Sequence, residues 1–414
     1  MSKIRNKDLW EEGEKKIYWA KIHMPVLNSL EEEYSLKKPL LGKTIGICIH
    51  LEAKTACLAL ALQKSGAKVV ACGSNPLSTQ DDVVACLVKE GIEVFAWRGE
   101  TEKEYKDNLR EVLRFNPDLI IDDGFDLTTT LLKEFSFLSE KILGVGEETT
   151  TGVIRAKALS EERGLPFPVI AVNNARIKFL FDNRYGTGES ALTSFMRNTN
   201  LLVAGKIFVI SGFGWVGRGL AHKLQGMKAK VIVTEVDPIK ALEAVMEGFD
   251  VMPMDEAVKI GDVFITATGN CKVIREEHFL SMKNGAILAN AGHFNVEIDM
   301  EALEKISRDK KEVRENITEY HLPNGKKIYV ISQGRLLNLA GGDGHPVEIM
   351  DLSFGVQYLV MLWLSKEGKN LPKSVIDVPI EIERQIAERK LNSMGIKWDM
   401  LTEEQERYLR SWEV

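Results

Sequence analysis

Six residues, Gly212-Phe213-Gly214-Trp215-Val216-Gly217, constrain this chain more than any others. They spell G-x-G-x-x-G. They follow an apolar run, Lys206 to Ser211, that reads as a β-strand, and they open a helical pattern over 216–226. Glu235 then closes the next apolar run, Lys230 to Thr234, 23 residues after Gly212. Such glycine spacings arise by chance, but a strand before, a helix after and an acid at the end of the next strand make a dinucleotide fingerprint. Gly212 permits the tight turn, Gly214 lets backbone approach a pyrophosphate, and Gly217 permits close helix–strand packing. The helix N-terminus favours the phosphates. Glu235 would accept from the adenosine ribose and repel a 2′-phosphate, which selects NAD over NADP. The other reading of the same residues is a Rossmann-like unit that binds no cofactor.

The rest of the chain fits around this unit. Its 414 residues are too many for one ordinary domain. Apolar runs at Lys43–His50, Lys68–Cys72, Val94–Trp97, Asp118–Ile121 and Pro168–Asn173 alternate with helical patterns, and Val263–Thr266, Ala286–Ala289 and Lys327–Ile331 follow the fingerprint. Strands alternating with helices predict parallel sheets covered on both faces. The fold class is therefore α/β, with two doubly wound Rossmann-like domains, a long helix over 347–366 and a short helical C-terminal tail. A net charge of −6 gives no footprint for nucleic acid. Five cysteines without a Cys-x-x-Cys pair favour a reducing, cytoplasmic setting over disulfides or a zinc site, and no metal ligands are assigned. The charged N-terminus has no signal-peptide core, and no apolar run approaches the ~20 residues of a membrane span. The longest, Val356 to Leu364, reads as a buried helix.

Polar clusters stand where the strands should end, which is where open α/β sheets place ligands. They are His50-Leu51-Glu52-Ala53-Lys54-Thr55, Ser78-Thr79-Gln80-Asp81, Asp122-Asp123-Gly124, Glu147-Glu148-Thr149-Thr150-Thr151-Gly152, Lys178 with Asp182-Asn183-Arg184-Tyr185-Gly186, Gly292-His293-Phe294 and Gly344-His345-Pro346. Singly, each has a structural account. An Asp pair after a strand caps helices, a Thr run makes turns, and a histidine there is often a satisfied structural residue.

In this order, the clusters resemble the S-adenosylhomocysteine hydrolase family over nearly the whole chain. The most specific stretches are NPLSTQDD (75–82), GEETTTG (146–152), FDNRYGTGES (181–190), VAGKIFVISGFGWVGRG (203–219), TEVDP (234–238), AGHFNVEID (291–299) and GRLLNL…GHP (334–346). The resemblance implies an enzyme that keeps NAD bound and cleaves a nucleosyl-homocysteine thioether. The ribose 3′-hydroxyl is oxidised to a ketone, C4′ loses a proton, homocysteine is eliminated, water adds, and the hydride returns. It further implies that Lys178 and Asp182 flank the 3′-hydroxyl and that Glu148 binds the ribose hydroxyls. Asp123 and His50 would do acid–base work near C4′ and C5′, with His293 beside the same face of the sugar. Asn173 and Asn183 would support the site, and Thr55 and Met350 would line the substrate pocket. Thr149, Thr150, Thr151 and Asn338 would contact the cofactor, and His345 would stand in a hinge. The implied domains are 1–185 with 346–390 for substrate, 186–345 for NAD, and 391–414 as the tail. An ordinary NAD-dependent dehydrogenase and a catalytically silent regulatory relative are the other classes weighed.

The chain departs from the family pattern in places. Family members carry Thr and Glu at the base-reading positions where this chain has Glu52 and Lys54. Lysine has three donors and no acceptor, so it cannot take a hydrogen bond from an adenine amino group. Hypoxanthine offers O6 to Lys54 and N1–H to Glu52, which suggests S-inosyl-L-homocysteine as substrate. Adenine in a swapped arrangement, or a simple Glu52–Lys54 pair, are the alternatives. Thr187 replaces a family Cys, and Lys240 replaces a family Asn and adds a contact to the cofactor. The chain ends at Trp412-Glu413-Val414, short of an extension that reaches a neighbouring subunit. A homotetramer is implied, and exchange of tails is left open.

Overall fold

The computed structural model describes Ser2 to Trp412; Glu413 and Val414 lie outside the described residues. Two sheets organise the chain. The first contains β1 (Thr44–Cys48), β2 (Lys68–Cys72), β3 (Glu93–Phe95), β4 (Leu119–Asp122), β5 (Gly144–Glu147) and β6 (Val169–Ala171). The second contains β7 (Ile207–Ser211), β8 (Lys230–Thr234), β9 (Asp250–Val251), β10 (Val263–Thr266), β11 (Ala286–Asn290), β12 (Asp309–Arg314), β13 (Ile317–His321) and β14 (Lys327–Ile331). A last strand, β15 (Val375–Asp377), returns to the first sheet and pairs in parallel with β6. The orders are β15-β6-β5-β4-β1-β2-β3 and β12-β13-β14-β11-β10-β7-β8-β9.

The first sheet is parallel throughout. Its strands are short apolar runs because both faces are covered; Ile45, Ile47, Ile120 and Ile121 are fully buried. The chain winds β1–β2–β3 one way and β4–β5–β6 the other, so the order reverses between β1 and β4. In the second sheet it reverses between β7 and β10. These switch points open crevices beyond the carboxyl ends of the strands. His50 and Asp123 follow β1 and β4, and Gly212 follows β7.

The second sheet departs from the doubly wound expectation at one edge. β12, β13 and β14 form an antiparallel meander. Its outer strand, DKKEVR, is exposed along its length, and its lysines and acids blunt the open edge. An exposed strand carries no apolar alternation, so it leaves no strand pattern in the sequence.

The helix expected over 347–366 runs Val347–Glu367 and continues in a short turn to Asn370. By length and composition Val347–Asn370 could cross a bilayer, with mean hydropathy 1.4, but 72% of that window is buried inside the protein. Charges at Glu348, Asp351 and Lys366 interrupt its apolar run in the sequence. It is the central helix of the first sheet's core. Gly144 and Gly146 on β5 let it approach; a Cβ on Gly146 would stand 2.5 Å from Gln357 Oε1. Asp351, buried within this helix, accepts from the backbone N–H groups of Val26 and Leu27 at 3.2 and 2.9 Å and from Lys390 Nζ at 3.0 Å. It thereby ties the N-terminal and C-terminal helices together.

Candidate active site

Both switch points open into one cavity of about 880 Å³ between the sheets. That is near the upper end for single small-molecule pockets and suits more than one ligand. Of the residues expected from sequence, His50, Glu52, Lys54, Thr55, Asp123, Glu148, Lys178, Asp182, Asn183, His293, His345 and Met350 line it. So do Thr149, Thr150, Thr151, Gly212, Gly214, Glu235, Lys240 and Asn338. Two expected residues stand behind the wall. Gly217 lies under the fingerprint helix Trp215–Gly226, where a Cβ would meet Gly212 O at 1.9 Å, in keeping with a packing role. Asn173, expected to support the site, does not line the cavity; its Oδ1 accepts from Lys178 Nζ at 3.4 Å and from Asn183 Nδ2 at 3.1 Å.

Lys178 is the cation at the centre of a buried charged cluster. Its Nζ is 2.9 Å from Asn183 Oδ1, 3.3 Å from Asp182 Oδ1 and 3.7 Å from Glu148 Oε1. A short helix, Arg176–Phe179, carries Lys178, and a single π-helical turn over Asp182–Gly186 follows. Such turns occur at functional sites because they rotate consecutive side chains out of α-helical register. Here the turn brings Asp182 and Asn183 against Lys178. Burial opposes the charge on Lys178, but Asp182 and Glu148 outweigh it and raise its pKa. Burial likewise opposes the charge on Asp182, but Lys178 and His345 hold its carboxyl well below the usual range. Glu148 goes the other way: burial lifts its carboxyl to about 7 against the pull of Lys178.

The long helix supplies two partners that the sequence did not reveal. Ser353 Oγ donates to Asp182 Oδ2 at 2.7 Å, and Gln357 Nε2 donates to Glu148 Oε2 at 2.7 Å. Both sit in an apolar helical run more than 150 residues from their partners, so only a signal of polar residues at helical spacing within a buried face could have found them. His345 braces the other side, with Nδ1 3.2 Å from Asp182 Oδ1 and Nε2 2.9 Å from Thr187 Oγ1.

A second group faces this one. His50 Nε2 is 3.2 Å from Asp123 Oδ2, and His293 Nδ1 is 3.6 Å from Asp123 Oδ1. Burial pushes His50 down to about 4, despite the attraction of Asp123. Gly124, at φ +103°, is required here. A side chain at that φ is strained, and its Cβ would stand 2.6 Å from His293 Nε2. Behind the group lies buried Glu147. Its Oε1 accepts from Gly124 N at 2.9 Å and Thr149 N at 3.1 Å, fixing the turns that present Asp123 and Glu148. The His293 turn is fixed by Asn290, whose Nδ2 donates to the carbonyls of Gly292, Phe294 and Gly334.

At the outer wall, Glu52 caps the helix Ala53–Lys64 and pairs with Lys54. Glu52 Oε1 accepts from Thr55 N, while Oε2 accepts from Lys54 N and lies 2.7 Å from Lys54 Nζ; the Thr55 hydroxyl donates to His50 O at 2.6 Å. Lys54 Nζ also donates to Asp343 O at 2.7 Å, across the cleft.

The nucleotide end fits NAD. Gly212 has φ +92°, and open space surrounds the Cβ position of Gly214 at the start of the fingerprint helix. Glu235 accepts from Phe213 N at 2.7 Å, from Val236 N at 2.7 Å and from Asp237 N at 3.1 Å, so its carboxylate is preset at the end of β8. Ser211 Oγ and Asn338 Oδ1, buried on the cavity wall, have no hydrogen-bond partner among the described residues, and neither does Glu148 Oε1. Buried polar atoms are rarely left so unless a ligand satisfies them.

Residues 183–344 match the family description "S-adenosyl-L-homocysteine hydrolase, NAD binding domain", and residues 1–138 match "S-adenosyl-L-homocysteine hydrolase". An adenosylhomocysteinase of Thermotoga maritima is 57% identical, covering 97% of this chain and 99% of its own. The chain belongs to the S-adenosyl-L-homocysteine hydrolase family. An adenosylhomocysteinase of Sulfurisphaera tokodaii is 53% identical over 99% of this chain and 98% of its own. A protein of Methanocaldococcus jannaschii named S-inosyl-L-homocysteine hydrolase is 54% identical over 100% of this chain and 99% of its own. As a member of the S-adenosyl-L-homocysteine hydrolase family, the chain is an NAD-dependent hydrolase of a nucleosyl-homocysteine thioether. Relatives of both names match it about equally well, so overall likeness does not separate the two bases.

Proposed function

We propose that this enzyme hydrolyses S-inosyl-L-homocysteine in preference to S-adenosyl-L-homocysteine, releasing inosine and L-homocysteine. The observation that carries the choice of base is the bonding of Glu52 and Lys54. A carboxylate has about four acceptor positions. The Glu52 carboxylate already takes Thr55 N, Lys54 N and Lys54 Nζ, while the Thr55 hydroxyl gives its proton to His50 O at 2.6 Å. One acceptor position on Oε1 is left. Lys54 has one ammonium proton uncommitted after Glu52 and Asp343 O. Lys54 thus leaves a charged donor open at this wall. Hypoxanthine turns a carbonyl acceptor toward it where adenine turns two N–H donors. The arrangement differs from the sequence expectation in one respect: Glu52 serves the helix and Lys54, and Lys54 alone reads the base edge. With homocysteine and either nucleoside in the synthetic direction, the specificity ratio should favour inosine by at least about tenfold, since rejecting a mismatched polar group in a buried site is worth that much or more. A ratio favouring adenosine overturns the proposal.

The residue roles follow from chemistry and position. Thr149, Thr150, Thr151, Gly212, Gly214, Glu235, Lys240 and Asn338 hold NAD, and Gly217 packs the turn beneath it. When bound, NAD supplies the acceptor and later the donor of the ribose 3′ hydride. Lys178, with Asp182 beside it, binds the 3′-oxygen and manages its proton. Glu148, whose carboxyl titrates near neutrality, receives a proton from that cluster and holds the ribose hydroxyls. The 3′ ketone acidifies C4′–H. Asp123 takes that proton as the C5′–S bond breaks, and His50 protonates the departing sulfur. Water then adds to C5′, giving its proton to His50, and Asp123 returns the proton to C4′. His293 closes this face of the sugar. Asn173 and Asn183 keep Lys178 in place, and Met350 and Thr55 shape the nucleoside wall.

We further propose the domain division 1–185 with 346–390, 186–345 and 391–414, a cytoplasmic location, and a homotetramer. The helix Pro238–Met246 supports assembly: Ile239, Leu242, Val245 and Met246 are 72%, 56%, 51% and 77% exposed, an apolar stripe at helical spacing. Sedimentation at micromolar concentration should give four chains, and a monomer would overturn this part.

A further inference from the structure

Ser78 belongs to the NPLSTQDD run and stands in the loop after β2, buried against His50. Its Oγ lies 2.8 Å from His50 Nδ1 and donates to the backbone carbonyl of Asn75 at 3.0 Å. A hydroxyl has one proton and two lone pairs, and a carbonyl can only accept. With its proton committed to Asn75, Ser78 faces His50 with a lone pair, so the imidazole proton belongs on Nδ1. Ser74 Oγ is oriented the same way: it lies 3.3 Å from Nδ1 and donates to Asp123 Oδ2 at 3.2 Å. That leaves Nε2 as the nitrogen facing Asp123 and the cavity. The charged or titratable groups around the ring are Asp123, His293 and His345, from three different loops. None of them reaches Nδ1.

The tautomer matters because burial disfavours the charged ring even with Asp123 beside it, and a neutral imidazole has one N–H. If that proton sat on Nε2, a neutral ring would offer no basic nitrogen to water. With Nδ1–H held by Ser78, Nε2 stays in play in both half-steps. Before elimination the His50–Asp123 pair shares one proton between Nε2 and Asp123 Oδ2, and it reacts in the form with that proton on Nε2. Afterwards Asp123 has taken the C4′ proton, sulfur has taken the Nε2 proton and left with the bonding pair, and Asp123 O–H donates to Nε2. Hydration reverses both transfers, so the pair is restored with atoms and charge balanced. Ser78 accepts from Nδ1 throughout.

We propose that Ser78 is a positioning residue that fixes the tautomer of His50, so that Nε2 is the nitrogen that exchanges a proton with sulfur and with water. The inference rests on the acid–base roles given to His50 and Asp123 above. The same logic underlies histidines whose second nitrogen is held by a partner, where loss of the partner's acceptor character costs up to about 10⁴-fold through the wrong tautomer.

The test is Ser78→Ala, read in two stages on the NAD-loaded enzyme. Binding of the 3′-oxygen at Lys178 does not involve Ser78, so enzyme-bound NADH should form on mixing with thioether at the wild-type rate. Elimination and hydration should slow, with kcat down about 10²-fold, KM within threefold, and bound NADH accumulating instead of passing through a small transient. Ser78→Thr keeps the hydroxyl and should restore turnover to within a few-fold. The inference is overturned if Ser78→Ala turns over normally. It is also overturned if bound-NADH formation slows by the same factor as turnover, which is what general loosening of the site would do. A wild-type enzyme that never forms bound NADH overturns the underlying reading, an outcome distinguishable from failure of Ser78 alone.

Discussion

Lys178→Ala abolishes the oxidation step: the variant binds nucleoside but generates no enzyme-bound NADH, and kcat falls by at least about 10³-fold, within the range seen when a positioned acid–base group is lost. The reason is visible in the cluster. Lys178 is the cation shared by Asp182 at 3.3 Å and Glu148 at 3.7 Å, all three buried. Without it the 3′-oxygen loses the ammonium assigned to it, and two carboxylates face each other in a buried site. Removing one member of a buried charge set costs about 3–5 kcal/mol of stability, so the variant should also melt earlier. Stopped-flow absorbance separates the two effects, because folded protein can be selected before mixing. Lys178→Arg is the control: it keeps the charge and loses the compact geometry of the ammonium, and should recover stability without recovering oxidation. Bound NADH forming at a normal rate in the alanine variant would remove Lys178 from its assigned role.

The second large effect is on the base. Lys54→Glu should reverse the nucleoside preference, with the inosine-to-adenosine ratio of kcat/KM falling by about 10²-fold or more, since the wall changes from a donor of hydrogen bonds to an acceptor. The change also removes the bond to Asp343 O and places a carboxylate beside Glu52. Some loss of overall rate is therefore expected for both nucleosides, and only the ratio tests base reading. An unchanged ratio would mean that Lys54 serves the loop alone. Lys54→Gln, which can donate and accept, should lie between the two.

Much of this site was legible in the sequence because strand ends and glycine turns leave local marks. The fingerprint, the acid at Glu235 and the polar clusters after β1, β4 and β5 are contiguous in the chain, and all reach the cavity. What escaped was of three kinds. Residues on a helix that reads as plain core, Ser353 and Gln357, were hidden by their apolar neighbours. Residues that hold turns, such as Glu147 and Asn290, resemble ordinary capping groups until their partners are known. Bonding was the third. Sequence left open whether Glu52 and Lys54 pair with each other or with a base, and only their pairing and the one uncommitted proton of Lys54 narrow it. In the fold, the charged strand β12 and the return of β15 gave no pattern, one because it is exposed on all residues and the other because three residues are too few.

The return of β15 has a consequence for how the chain is made. Until residue 377 has left the ribosome, β6 is an edge strand with open backbone groups, and the core beneath β5 lacks the helix that Gly144 and Gly146 were shaped to receive. The second sheet, by contrast, is drawn from one continuous stretch and needs nothing that comes after β14. The nascent protein therefore holds a finished nucleotide-binding half while its first half waits, half-built, for the last part of the message. Exposed apolar surface and unpaired edges are what chaperones shield and what aggregation exploits. For this chain the hazardous interval runs through translation of about half its length, and it ends only when the C-terminal segment closes the sheet that the N-terminal segment began.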